Sequence, residues 1–295
     1  MNHNETLLQI MNRLTVGRSR FETDIDGLTL YRRESTTPPT SNFLDASLCL
    51  SAQGEKQVIL GKETYFYDEK HFLFTAVDLP VITQITKASI EKPYLGIILR
   101  LDPHVIAQLI LEAHITFKQN YYGKKGVAVG SINNEIEDAF IRLLKLLEQP
   151  QDIPIVAPLI VKEIFYRLLM SPQGERLKTI AAAGTAGHRI IKAIEWLKTN
   201  FSKPFTVDEL AHMVGMSSSS FYQHFREIAL ISPLQYQKRI RLNEARRLLL
   251  TEGLDISSIG IQVGYESLSQ FSREYKRFFG LSPSENLKEH GYQKI

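Results

Sequence analysis

The sequence predicts an α+β chain: a β-barrel or sandwich with a helical hairpin in the first two-thirds, then an all-α domain. Three observations carry this. Between Phe21 and Leu101 the apolar runs are short, β-branched and aromatic, with turn residues between them. From Asp102 onward apolar residues recur at helical spacing. Near the C-terminal end a helical unit beginning at Val207 is repeated from Ile256.

Composition narrows the function classes. The 295 residues are 43% hydrophobic and 23% charged, a globular balance, and at roughly 150 residues per domain they suggest two domains. No stretch approaches the ~18 uncharged apolar residues of a membrane span, and MNHNETLLQI lacks a signal-peptide build. A soluble cytoplasmic protein is expected. The single cysteine, Cys49, excludes an intramolecular disulfide and a multi-cysteine metal site within one chain. Net charge is +3, with 35 Lys/Arg and 32 Asp/Glu. Residues 188–295 hold 15 basic and 11 acidic side chains, leaving 20 and 21 for residues 1–187. The whole positive excess lies in the last third, which points to a polyanionic partner there.

Residues 5–14 form a short amphipathic stretch. The runs GLTLYRRES, FLDASLCLSAQG, KQVILG, ETYFYDE, HFLFTAV, PVITQITKAS and YLGIILRL then read as strands, separated by Pro38-Pro39, Gly54, Gly61 and Asp78-Leu79-Pro80. Cys49 lies on one of them, either as a buried inert thiol or as an electrophile or redox sensor. Tyr65, Phe66, Tyr67, Phe72, Phe74 and Tyr94 either fill the β core or line a ligand site at the barrel mouth.

Asp102 can cap a helix with Pro103 at its first position and Val105, Ile106, Leu109 and Ile110 on one face. After the loop YYGKKG come two helices, 132–148 and 155–170. The first carries a stripe of Ile136, Phe140, Leu143, Leu144 and Leu147, and the short EQPQDIP connection folds the pair back antiparallel. This hairpin either closes the core or offers a homodimer contact. Residues 171–187 carry little apolar pattern and read as linker, long enough for more than one domain orientation. The predicted domains are 1–172 and 188–295, with 173–187 between them. In HRIIKAIEWLKTNF, the seam Ile190, Ile194 and Leu197 makes one more helix, with Trp196 as a packing residue. Pro204 ends that helix and Asp208 can start the next.

The repeat is the strongest signal. Leu210, Ala211, Val214 and Gly215 recur 49 positions later as Ile259, Gly260, Val263 and Gly264. Beyond the turn the offset is 50: Ser217, Phe221, Phe225, Arg226, Ser232 and Pro233 match Ser267, Phe271, Tyr275, Lys276, Ser282 and Pro283. In each unit a small residue lets two helices approach, a glycine four positions on supplies a left-handed turn, and a serine caps the second helix. That is a helix-turn-helix, whose second helix enters the DNA major groove. Phe221, Phe225 and Ile228, and then Phe271, Tyr275 and Phe278, form the inner faces. The outer faces present Ser219, Ser220, Tyr222, Gln223 and Arg226 from the first unit, and Ser269, Gln270, Arg273 and Lys276 from the second. Gln pairs bidentately with adenine and Arg with the guanine O6/N7 edge.

Between the units, SPLQYQKRIRLNEARRLLL is a helix with a seam of Leu234, Ile240, Ala245, Leu248 and Leu249. Lys238, Arg239, Arg241, Arg246 and Arg247 crowd its other faces, either as a solvated basic surface or as phosphate clamps. With Arg226 and Lys276, Arg239 and Arg241 are the expected DNA-phosphate contacts. A rigid connecting helix would hold the two reading helices about one DNA turn apart.

The segments SPLQYQKRIRLNEARRLL and VGYESLSQFSREYKRFFGLSP closely resemble the AraC/XylS family of bacterial transcription regulators, over about residues 187–287. The resemblance implies base contacts from Ser219, Tyr222 and Gln223 and from Ser269, Gln270 and Arg273. Many members carry an aromatic and an arginine after the final Ser-Pro, where this chain reads SENLKEHG. Residues 20–180, through SLCLSAQGEK, VILG, DLPVITQITKAS, KPYLGIILRLD, EIFYRLL and PQGERL, are similar to the N-terminal domain of one AraC-type subgroup. That implies a cupin-like β domain that senses a small-molecule or stress signal and mediates dimerisation. The function expected is a sequence-specific regulator, an activator, with promoter DNA, RNA polymerase and an unidentified effector as partners. No enzymatic activity, metal or cofactor is expected.

Two alternatives compete. A metal-dependent cupin oxygenase or isomerase needs clustered His and carboxylates. The eight histidines contain no HxH pair, His104 and His114 stand ten residues apart, and His71 is isolated. A constitutive architectural DNA binder would use its N-terminal domain only to dimerise.

Overall fold

A computed structural model describes residues 6–115, 125–181, 185–251 and 254–290. Helix α1 (Leu7–Thr15) starts at a capping box, in which the Thr6 hydroxyl accepts from the Gln9 amide and the Gln9 side chain accepts from the Thr6 amide. The β domain then runs through β1 (Arg20–Glu22), β2 (Leu28–Arg33), β3 (Thr40–Leu44), β4 (Ser47–Gln53), β5 (Glu55–Leu60), β6 (Glu63–Tyr67), β7 (His71–Thr75), β8 (Leu79–Lys87) and β9 (Tyr94–Arg100). Helix α2 (Pro103–Glu112) follows, and then β10 (Val127–Ser131).

The strands make two antiparallel sheets, ordered β1-β2-β9-β4-β7-β10 and β3-β8-β5-β6. The sequence alternates only partly because some strands are covered on both faces. Residues Ser47 to Ser51 of β4 are buried without interruption, since α1 packs Leu7, Ile10 and Met11 against the β2-β9-β4 side of its sheet. Neither β1 nor β10 was legible in the pattern. The second is an edge strand, paired with β7 from Val127↔Thr75 to Ser131↔His71. Of the loop YYGKKG, residues 121–124 lie outside the described residues.

Asp102 caps α2 by accepting from the His104 and Val105 amides, with Pro103 at the first position. Helices α3 (Asn134–Lys145) and α4 (Ile153–Met170) form the expected hairpin, joined by two short 3-10 turns and clasped by Arg142 on Glu163 at 2.7 Å. The 173–187 stretch departs from the linker expectation. Residues Gly174–Ala181 form α5. Leu177 is buried, Gln173 donates to the Val129 carbonyl at 3.2 Å, and Arg176 donates to the Lys125 carbonyl at 3.0 Å. One buried leucine and two long polar side chains dock the segment, an arrangement that leaves little apolar periodicity in the sequence.

The C-terminal region comprises α6 (Ala186–Thr199), α7 (Val207–Met213), α8 (Ser218–Ala229), α9 (Pro233–Thr251), α10 (Ile256–Gln262), α11 (Leu268–Phe279) and α12 (Pro283–His290). Helix α6 ends at Asn200, before Pro204. Helix α7 starts at Val207, one residue ahead of Asp208, because a Thr206–Glu209 capping box sets its first turn. Trp196 packs edge-on against Phe205, 6.1 Å between rings. Leu234, expected in the α9 seam, is exposed, whereas Ile240, Ala245, Leu248 and Leu249 are buried.

The hydrophobic core does not divide where the domains do. One continuous cluster runs from α1 through the sheets and the α3–α4 hairpin into α6, α7, α8 and the first half of α9, as far as Ile240. A second, separate cluster from Leu242 to Tyr275 holds the other helix-turn-helix unit. Tyr236 of α9 joins the domains: its ring lies edge-on to Phe43 of β3 at 5.8 Å and to Phe225 of α8 at 5.5 Å, and its hydroxyl donates to the Asp78 carbonyl at 2.7 Å. Lys198 pairs with the Asp78 carboxylate, and the Gly126 amide donates to the Ile228 carbonyl at 2.9 Å.

Candidate nucleic-acid interface and effector cavity

Both repeated units fold as the spacing predicts. Gly215 and Gly264 adopt φ of +67° and +91°, and the Ser217 and Ser267 hydroxyls accept from the Ser220 and Gln270 amides to cap α8 and α11. Phe221, Phe225 and Ile228 are buried beneath α8, and Phe271 and Tyr275 beneath α11, with Phe278 partly buried. The opposite faces are open. Ser219, Tyr222, Gln223 and Arg226 are exposed on α8, with Ser220 half-buried; Ser269, Gln270, Arg273 and Lys276 are exposed on α11.

These polar side chains are held within their own helices. Gln223 donates to Glu227 at 2.9 Å, Arg226 lies over the Tyr222 ring at 5.7 Å, and Arg273 donates to the Ser269 carbonyl at 3.2 Å. Intrahelical bonds of this kind exchange readily for base or phosphate contacts. Lys276 meets Glu285 at 3.4 Å. The Glu285 carboxylate accepts from the Ser282 amide at the start of α12, and that bond holds its pKa down at about 2.

The basic residues of α9 are placed differently from expectation. Arg239 points into the β domain, donating to the Pro80 carbonyl at 2.9 Å above the Phe278 ring at 5.7 Å. Burial lowers its pKa. Arg241 donates to four carbonyls, those of Phe201 and Gly264 at 2.7 Å, Ser202 at 3.1 Å and Lys203 at 3.2 Å. Both arginines are half-buried: Arg241 directs its donors to backbone oxygens, and Arg239 is tethered to the Pro80 carbonyl through one of its five N–H groups. Arg246 lies over the Phe279 ring at 5.0 Å and Arg247 chelates Glu244. Lys238 pairs with Glu274 of α11 at 2.8 Å, and the same carboxylate accepts from Tyr265 at 2.9 Å. Burial opposes ionisation of Glu274, but the bonds from Lys238, Tyr265 and Gln270 outweigh it and keep its pKa low. This cluster, which the linear pattern did not single out, ties α11 to the connecting helix α9.

A second feature lies between the sheets. A cavity of about 690 Å³ is walled by Thr29, Tyr31 and Arg33 of β2 and Tyr94 and Ile98 of β9 on one side. Thr40 and Asn42 of β3, Lys56 of β5, and Thr83 and Ile85 of β8 wall the other. Its size suits a small organic ligand. Of the six aromatics expected at a barrel mouth, Tyr94 alone lines it. Tyr67, Phe72 and Phe74 are core, and Phe66 is exposed. Cys49 is buried, and burial raises its thiol pKa, which leaves it a poor nucleophile. Among the described residues no group of three or more His, Cys, Asp or Glu side chains could hold a metal, and no helix is long and apolar enough to cross a membrane.

Two capped helices that present polar faces at corresponding positions of a tandem repeat define a DNA-binding protein with two helix-turn-helix units. Sequence comparison makes the assignment closer. The family model "AraC-type transcriptional regulator N-terminus" matches residues 24–176, and a helix-turn-helix domain model matches residues 210–289. The chain belongs to the AraC-type transcriptional regulators.

Similar proteins include the transcriptional regulator ArgR of Pseudomonas aeruginosa, 27% identical over 50% of this chain and 45% of that protein. The virulence regulon transcriptional activator VirF of Yersinia enterocolitica is 24% identical over 81% and 87%. The chain spans about half the length of the first curated relatives it matches. The fold is that of ToxT from Vibrio cholerae, whose structure with an unsaturated fatty acid bound superposes with a TM-score of 0.58 at 13% identity, over 88% of this chain and 94% of that one.

Proposed function

We propose that this protein is a sequence-specific transcription activator of the cytoplasm, without enzymatic activity, whose promoter affinity is set by a small molecule in the β domain. The observation that carries DNA reading is the pair α8 and α11, each capped by serine, packed on an aromatic face and open on the other. Ser219, Ser220, Tyr222 and Gln223, with Ser269, Gln270 and Arg273, read base edges in this scheme. Arg226 and Lys276 contact phosphate. Arg239 and Arg241 do not, because Arg239 is turned toward the β domain at the Pro80 carbonyl and Arg241 directs its donors to four backbone carbonyls. Promoter DNA and RNA polymerase are the macromolecular partners that activation requires.

The route for a signal runs through β3. Asn42 and Thr40 face the cavity, while Phe43, also on its wall, packs on Tyr236. Tyr236 in turn touches Phe225 beneath the first reading helix. A homodimer forms in this reading through α4 and its neighbour α2, where Ile155 and Leu159, one turn apart, are 71% and 64% exposed and Leu111 is 75% exposed. The outer face of α3, which carries Glu135, Asp138 and Arg142, is polar and takes no part in it.

Selection of bound duplexes from a random pool tests the DNA reading. Two half-sites separated by about one helical turn, ~10 bp, are expected. A pool without an enriched motif would overturn it.

A further inference from the structure

We infer that the cavity between the sheets is an anion-binding site, with Lys56 as the counter-charge for the carboxylate or phosphate of a small, partly apolar effector. This rests on the effector reading above and gives it a chemical class. Lys56, Val58 and Leu60 share one face of β5, and Val58 and Leu60 are fully buried. The lysine is therefore carried inward, and it lines the cavity opposite Tyr31, Arg33 and Tyr94. Among the described residues nothing bonds its ammonium.

The carboxylates on the wall of the same cavity are each matched by a cation other than Lys56. Glu22 pairs with Arg20 at 2.5 Å and Asp26 with Arg100 at 3.3 Å. Asp45 lies beside Asp78 and Lys198, its pKa raised first by burial and then by the Asp78 charge. Burial above all depresses the lysine's pKa; the nearby Cys49 thiol works against that shift, and Arg33, of like sign, adds to it. Tyr31 and Tyr94 on the cavity wall, and the buried Cys49 thiol behind it, have pKa values raised by burial, so they supply no negative charge. Lys56 is half-buried, and an ammonium drawn partly out of water without a counter-ion is unfavourable. An anion entering the cavity removes that penalty, so binding is selective for charge. Ile25, Phe43, Ile85 and Ile98 offer the apolar surface for the remainder of the molecule.

The test uses the full chain and four matched probes: 3-phenylpropanoate, 3-phenylpropyl phosphate, 3-phenylpropan-1-ol and 3-phenylpropylamine. Melting temperature is followed against probe concentration, because a ligand specific to the folded state raises it. Saturable stabilisation by at least one anion, and none by the amine, is expected, and the better of the two anions identifies the head group. Lys56→Met should weaken anion binding at least tenfold while raising the melting temperature of the ligand-free protein; Lys56→Gln is the second variant should methionine fail to fold. Equal stabilisation by alcohol and anions would overturn the charge assignment and leave the effector cavity standing, whereas no response to any probe would overturn both. Anion binding that survives both substitutions, or ligand-free Lys56→Met and Lys56→Gln proteins that both melt below the parent, would also refute it.

Discussion

The repeat supplies a controlled experiment on the second helix-turn-helix. Gly215 and Gly264 occupy the same position of their units and both take positive φ. Their surroundings differ. A Cβ at Gly215 would meet nothing within 4 Å, whereas at Gly264 it would lie 2.2 Å from the Ser202 carbonyl oxygen. Gly215→Ala carries only the left-handed backbone cost, about 1–2 kcal/mol. Gly264→Ala carries that cost and must also push the Ser202 and Gly264 backbones apart by about 1 Å to restore ordinary contact, where overpacking adds roughly 1–3 kcal/mol. Those segments are the ones Arg241 rivets through the Phe201, Ser202 and Gly264 carbonyls, so they cannot separate without losing its bonds. The total expected for Gly264→Ala is about 2–5 kcal/mol. Urea unfolding with hydrogen exchange at α10 and α11 amides measures the loss. DNA protection by Gly264→Ala should fail at one half-site and persist at the other. Equal destabilisation by the two substitutions would refute the argument from close approach.

Arg273→Ala should cost roughly 1–3 kcal/mol on the selected site and relax preference at one base pair, by competition with single-base variants; an equal loss on random DNA would contradict base reading. Arg239→Met should leave the salt dependence of DNA affinity unchanged, because its guanidinium is bound to Pro80, while Arg226→Ala should flatten that slope. Tyr236→Phe strips the Asp78 carbonyl of its buried donor and should destabilise the protein by about 1–3 kcal/mol, with a weaker effect of ligand on promoter affinity. Glu285 is an acid whose folded pKa lies below its ordinary value, so its contribution to stability is present above pH ~4.3 and fades as pH falls toward 2. Acid titration of Glu285→Ala should therefore show a shallower loss of stability across that window.

The DNA-reading half was legible because its determinants are local. A capping serine, a glycine at the turn and aromatics one helical turn apart act within a dozen residues, and their repetition at offsets of 49 and 50 reproduces the boundaries of α7–α8 and α10–α11. The α3–α4 hairpin was readable for the same reason. Lys56 also left a trace: Lys-x-Val-x-Leu in a strand whose Val and Leu are core puts the lysine on the inner face. Of the six aromatics only Tyr94 marks the cavity, since an aromatic strand residue reads alike whether it fills the core or lines a cavity.

Sequence alone determined that two helix-turn-helix units exist, where their second helices start, and most of the side chains those helices turn outward. Tertiary structure decided the employment of the α9 cations, since Lys238, Arg239 and Arg241 look equivalent along a helix and only the neighbouring strand, turn and helix give them different carbonyl or carboxylate partners. It also decided that β10 completes a sheet edge, that α5 docks where a free linker was expected, and that the first reading unit shares its core with the β domain while the second does not. The physical reason is common to these cases: capping and helical periodicity act over a few residues, whereas burial and hydrogen-bond pairing depend on surfaces that the chain brings together from far apart.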